Sequence, residues 1–128
     1  MTNVICVDPA HVKTIWPHVE HYVRRAVDRV GLITLDDVAA DVLDGIYLLW
    51  IGLDNDKIIG ALVTALYPDR VHIVAYGGRL RDLEFLPIIE NYARAEGCKR
   101  LCLTGRKGWL RVLKDFHQPY VVLEKELT

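Results

Sequence analysis

Thr104-Gly105-Arg106-Lys107-Gly108-Trp109 sets two cations between two glycines, with an indole to follow. Such a loop can bring backbone N–H groups and positive charge to one anion. Its alternative is structural: Trp109 packs a short helix onto a sheet. His18 and His21 stand three apart on a helical stretch that begins near His11. That spacing puts two imidazoles on one face. Zinc needs more ligands, and no third one follows at a suitable spacing. Surface histidines are the expectation, with no metal. Cys98 and Cys102 are four apart across a helix-to-strand junction and do not form a Cys-x-x-Cys pair. With Cys6, they read as structural thiols.

The elements that must position these residues are legible from periodicity. Residues 4–7 form a short apolar run, expected as a buried strand. Asp8-Pro9 then supplies an N-cap and a proline at the first helical position. Val12, Trp16, Val19, Val23 and Val27 recur at helical spacing up to Gly31, with Pro17 either kinking the helix or delaying its start. Thr34 caps a second helix whose Asp36, Asp37, Asp41 and Asp44 make an acidic, solvated face. The period then changes. Residues 47–53 and 58–66 read as a hairpin around Asp54-Asn55-Asp56-Lys57, and 70–76 as a third consecutive strand. A helix ending at Gly97 follows, with Pro87 in its first turns. A strand at 100–104, a short helix from Gly108 or Trp109 to Phe116 and a final strand over 120–127 complete the order β-α-α-β-β-β-α-β-α-β. Three strands in sequence followed by crossovers describe a mixed sheet, not a doubly wound one.

Composition narrows the class. The 128 residues read as a single domain, 1–128, and 52% are hydrophobic, which excludes a disordered chain. Sixteen Lys and Arg against seventeen Asp and Glu leave a net charge of −1, which argues against bulk-charge binding to nucleic acid. The start lacks the basic and apolar regions of a signal peptide, and the longest apolar run, 46–53, is too short to span a bilayer. A cytoplasmic protein with reduced thiols and no membrane partner is expected. Trp16, Trp50, Trp109 and Tyr120 exceed what a small core needs, which makes a homodimer plausible on composition.

The element order resembles the GNAT superfamily of acyl-CoA N-acyltransferases over nearly the whole chain. Ala93-Arg94-Ala95-Glu96-Gly97-Cys98-Lys99-Arg100-Leu101 is similar to the end of that superfamily's main helix entering the next strand. Residues 104–113, together with Val121-Val122-Leu123-Glu124-Lys125, resemble a narrower group encoded by bacteriophages and prophages. The resemblance implies an α/β fold with a mixed central sheet of six to seven strands flanked by about four helices. It implies acetyl-CoA as co-substrate and a small-molecule or protein amine as acceptor. The superfamily's pyrophosphate loop needs glycines for close backbone approach. Counted back without gaps, those positions hold Leu80 and Asp82 here. A shifted loop would use Gly77, Gly78 and Arg79, with Arg81 and Arg106 adding charge. The alternative is a tight turn after a strand, with Asp82 as a helix cap.

The same resemblance sets the catalytic candidates. The backbone of Ala75 or a neighbour would stabilise the oxyanion. His72 and Glu84 are the candidate bases. Leu113 stands where a tyrosine often serves as general acid, so Tyr76 and Tyr120 are the phenols left to consider. The acidic second helix would border the acceptor site. Two functions follow: an N-acetyltransferase acting by direct attack in a ternary complex, or an inactive binding or assembly module on the same fold. Side chains such as Leu80 or Tyr76 filling the groove between the fourth and fifth strands would favour the module.

Overall fold

The structure is a computed structural model and describes residues 2–79, 84–105 and 108–127. Its centre is a five-stranded sheet in the order β1-β2-β3-β4-β5: β1 Thr2–Cys6, β2 Leu48–Asp54, β3 Lys57–Leu66, β4 Arg70–Gly78 and β5 Arg100–Leu103. The first four run antiparallel to their neighbours, while β5 is parallel to β4. Among the described residues the helices are α1 Val12–Val30, α2 Leu35–Leu43, α3 Phe85–Ala95 and the short α4 Trp109–Val112, with a 3-10 turn at Pro9–His11 before α1.

The local signals act where the sequence places them. The Asp8 carboxylate accepts from the Ala10 N–H at 2.9 Å, ahead of α1. Val12, Trp16, Val19, Val23 and Val27 are the buried stripe of α1. Thr34 accepts from the Asp37 N–H at the start of α2. Asn55 and Asp56 both take positive φ, the geometry that a two-residue hairpin loop requires. Pro17 neither starts nor breaks α1, which runs through it. Pro87 sits in the first turn of α3, where its missing N–H has no helical partner to lose.

Two cores flank the sheet. On one face α1 and α2 bury Val19, Val23, Val38 and Val42 against Leu49, Ile51, Ala61 and Val63. On the other, Phe85, Ile89 and Ala93 of α3 cover Trp50, Leu62, Val71 and Ile73. Inside that second core the Trp50 indole N–H donates to Thr64 Oγ1 at 3.0 Å, which satisfies the one buried polar side chain among the described residues.

The expected strand count is corrected here. Residues 120–127 form no strand, and among the described residues five strands stand where six to seven were expected. The segment has the right composition for a strand but lies exposed, and among the described residues it is paired with no other strand. A β-strand exists only through its partner. The short helix likewise ends at Val112 instead of Phe116.

Candidate site at the open end of the fourth strand

One irregularity organises the site. β4 and β5 are paired only from Arg70↔Arg100 to Ile73↔Leu103. The β3–β4 register shifts at that level, from Thr64↔Ile73 to Val63↔Ala75, so Val74 is an extra residue in β4. This is a β-bulge, and it bends and re-aims the strand that carries it. Beyond it β4 leaves β5, and the edge from Val74 to Gly78 has no partner strand among the described residues.

The bulge also reverses the side-chain parity. Before it, Val71 and Ile73 face α3. After it, Ala75 joins the α1 core and Tyr76 turns to the α3 side. The Tyr76 ring lies 4.6 Å from Phe85 and 5.9 Å from Trp109, centroid to centroid. Its hydroxyl donates to the Gly78 carbonyl at 3.4 Å. Tyr76 thus touches both banks of the opening, α3 on one side and α4 on the other.

The amides follow the antiparallel alternation. The Arg79 N–H donates to the Ile59 carbonyl at 2.8 Å, which sets the phase. Ala75, Gly77 and Arg79 therefore spend their N–H groups on β3, while those of Tyr76 and Gly78 point to the open side. Of the expected donors, Ala75 or a neighbour, the Ala75 N–H lies on the β3 side and that of Tyr76 on the other.

Gly77 and Gly78 are required by packing. A Cβ on Gly77 would stand 2.1 Å from the Tyr22 carbonyl oxygen of α1. A Cβ on Gly78, at φ +108, would stand 2.4 Å from both Gly60 Cα and the Ile59 oxygen. Helix backbone fills the space beside Gly77, which is a packing reason for a glycine at that position. What remains there for an anion is the Gly78 N–H and the exposed Arg79 side chain. Gly105 has a similar explanation. A Cβ there would meet the Trp109 ring at 2.5 Å, so the indole lies directly on that glycine.

His72, on β4 just before the bulge, holds Thr104 Oγ1 at 2.7 Å from its Nε2, across the point where the two strands part. Its neighbours are Ala65 on β3 and Cys102 on β5. Burial, and then the charge of Arg70, lower its pKa below the ordinary 6.5, so it is neutral at pH 7 and able to accept a proton. Sequence reasoning reached His72, and reached Thr104 as the start of the candidate anion loop, but missed that the two meet. No local pattern marks either the bulge or the residue that closes over it.

The other candidates are more scattered. Glu84 is exposed, immediately before α3 and next to Phe85, near the mouth of the opening. Tyr120 is 71% exposed and lies within electrostatic reach of Arg100, at the paired end of β5. Arg81 and Arg106, with Leu80, Asp82 and Lys107, fall outside the described residues. His11, His18 and His21 are exposed on one helical stretch, and no group of three or more metal-ligating side chains exists among the described residues. Cys98 is buried and its thiol donates to the Tyr67 carbonyl. No described helix is long and apolar enough to cross a membrane.

No known family profile and no curated protein matches the sequence. Solved structures do match the fold. A predicted acetyltransferase with acetyl-CoA from Clostridium acetobutylicum superposes with a TM-score of 0.67 at 16% identity, over 98% of this chain and 96% of that one. The chain has the GNAT fold. Two more structures agree. The ribosomal-protein-alanine N-acetyltransferase of Brucella melitensis biovar Abortus gives 0.68 at 10% identity over the full length of both chains. A GNAT family acetyltransferase of Staphylococcus aureus gives 0.60 at 15%, over 98% of each. Likeness at these identities establishes the GNAT architecture, and the reaction must be argued from the site.

Proposed function

We propose that this protein is an acyl-CoA-dependent N-acyltransferase that moves an acetyl group from acetyl-CoA to a primary amine. The observation that carries the reading is the parting of β4 from β5 beyond Ile73, with the Gly78 N–H turned to the open side. An extended chain bearing amides, such as the pantetheine arm, can add to such an edge as a strand does. The Gly78 N–H and the exposed Arg79 guanidinium stand where the edge ends and would fit negative charge there. When bound, acetyl-CoA supplies the activated acyl carbonyl. The chain's own residues hold it along β4 and take up the proton that the amine must lose. His72 is placed for that proton, with Thr104 fixing its ring. Tyr76 is the phenol in the opening, and Tyr120 is not part of the site. The 104–113 stretch is what supports a bacteriophage or prophage origin.

A second reading has its own observation. The Tyr76 ring reaches across the opening to Trp109, and Gly77 is taken up by helix packing. A binding module with a closed groove would look this way.

Calorimetric titration with acetyl-CoA separates the two. The acyltransferase reading expects micromolar binding, weakened at least about tenfold in Arg79→Glu, which is roughly 1.4 kcal/mol. No heat at millimolar acetyl-CoA overturns it and leaves the module.

A further inference from the structure

Cys102 stands on β5 directly across from His72 of β4, one residue before the pairing of the two strands ends. Leu101 and Leu103 pack on the α3 side, as Val71 and Ile73 do, so Cys102 and His72 share the opposite face. Neighbouring strands run about 4.8 Å apart, which makes the two side chains direct neighbours. His72 Nε2 meets Thr104 Oγ1 at 2.7 Å, which sets Thr104 on that face as well, two residues beyond Cys102. The imidazole therefore lies along the row that begins at the thiol. A nucleophile, a base and a group that orients the base line up at the head of the opening. Cys102 and His72 are both half-buried, so the pair is in reach of a bound substrate. The other two thiols lack this company. Cys98 is buried and donates to the Tyr67 carbonyl, and Cys6 is exposed on β1, at the opposite edge of the sheet. The structural role expected of all three thiols fits Cys98 best.

We propose that Cys102 is an acyl-accepting nucleophile, and that the acetyl group passes through a thioester on its sulfur before it reaches the amine. This rests on the acyltransferase reading and replaces direct attack by two transfers. In the first, the Cys102 thiol gives its proton to His72 Nδ1, whose lone pair is available when Nε2–H donates to Thr104. The Cys102 sulfur bonds to the acyl carbon, the bond from that carbon to the coenzyme's sulfur breaks, and His72 returns the proton to the departing sulfur. In the second, the amine nitrogen bonds to the acyl carbon and His72 takes its proton. The bond to Cys102 breaks, and the Cys102 sulfur recovers that proton. The first transfer exchanges one thioester for another, so the balance calls for no oxidant and no further co-reactant. Among side-chain nucleophiles a thiol is the one least in need of activation, which suits a base held neutral at pH 7.

The test is acid-quenched mass spectrometry of the chain mixed with acetyl-CoA and no amine. The expected product carries one acetyl group, mapped to Cys102 and removed by hydroxylamine, with an equal amount of coenzyme A released. Cys102→Ser should abolish both signals, and His72→Gln should slow both by about 10²–10⁴. Cys6 is the internal control, because it is the more exposed thiol. Acetylation of Cys6 as fast as that of Cys102 overturns the proposal. Calorimetry on the same samples separates the proposal from the reading beneath it. Acetyl-CoA that binds and leaves no adduct overturns the proposal and leaves direct attack. Neither binding nor adduct overturns both. Alkylation by iodoacetamide gives a readout without acetyl-CoA. In the wild-type chain half-buried Cys102 should react faster than exposed Cys6. In His72→Gln, with circular dichroism unchanged, that order should reverse. A wild-type chain that reacts in order of exposure refutes the proposal.

Discussion

His72 shows how burial prepares a side chain for chemistry. Its lowered pKa keeps the imidazole neutral near pH 7, and the hydrogen bond to Thr104 holds the ring where the strands part. The same shift has a stability signature. A histidine whose folded pKa lies below its unfolded value supports the fold above the unfolded value, near 6.5, and withdraws that support as pH falls through the folded one. Between pH 7 and pH 5 the melting temperature of the wild type should therefore fall more steeply than that of His72→Gln. Equal slopes would show that the environment of His72 does not penalise its charge. With an acceptor amine in hand, the substitution should lower kcat by about 10²–10⁴ and remove the acidic limb of the pH profile. A loss confined to KM would count against a role in proton transfer.

At the scale of elements, the crossing of α1 over β3 and β4 is the joint that shapes the opening. Tyr22 lies with its backbone on Gly77, and its hydroxyl donates to the Ile58 carbonyl at 3.2 Å. Gly77→Ala forces a methyl against backbone that cannot rotate away. A loss of about 2–3 kcal/mol in urea denaturation is expected. Less than about 0.5 kcal/mol would mean that α1 is free to lift. The start of β5 is held differently. Asp69 pairs with both Arg70 and Arg100, all in solvent, and the two arginines keep its carboxyl below the usual range. Exposed pairs of this kind are screened by water and salt. Asp69→Asn should therefore leave the melting temperature within experimental scatter.

For the whole molecule, near-neutrality matters more than any single charge. A net charge of −1 offers little repulsion between copies, so apolar contact can govern association. Any self-association of the chain should therefore resist added salt, because salt screens charges and leaves apolar burial intact. Dissociation by salt would point to an ionic interface instead.

The residues alone settled the local structure of this protein. The valine stripe of α1, the Asp8 and Thr34 caps, the Asn55-Asp56 turn and the order of elements up to α4 all follow from rules that act within a few residues. The site was legible only in outline. His72, Tyr76 and Gly77-Gly78 were on the page as candidates, but their roles depended on neighbours far away in sequence. Only the bulge at Val74 decides that Tyr76 faces α3 and that the amide of Ala75 lies on the β3 side. Only the approach of α1 decides that Gly77 serves packing. The 120–127 segment makes the same point in reverse. Its strand pattern was plain, yet a strand needs a second backbone, and which backbone that is depends on distances that no single stretch of sequence contains.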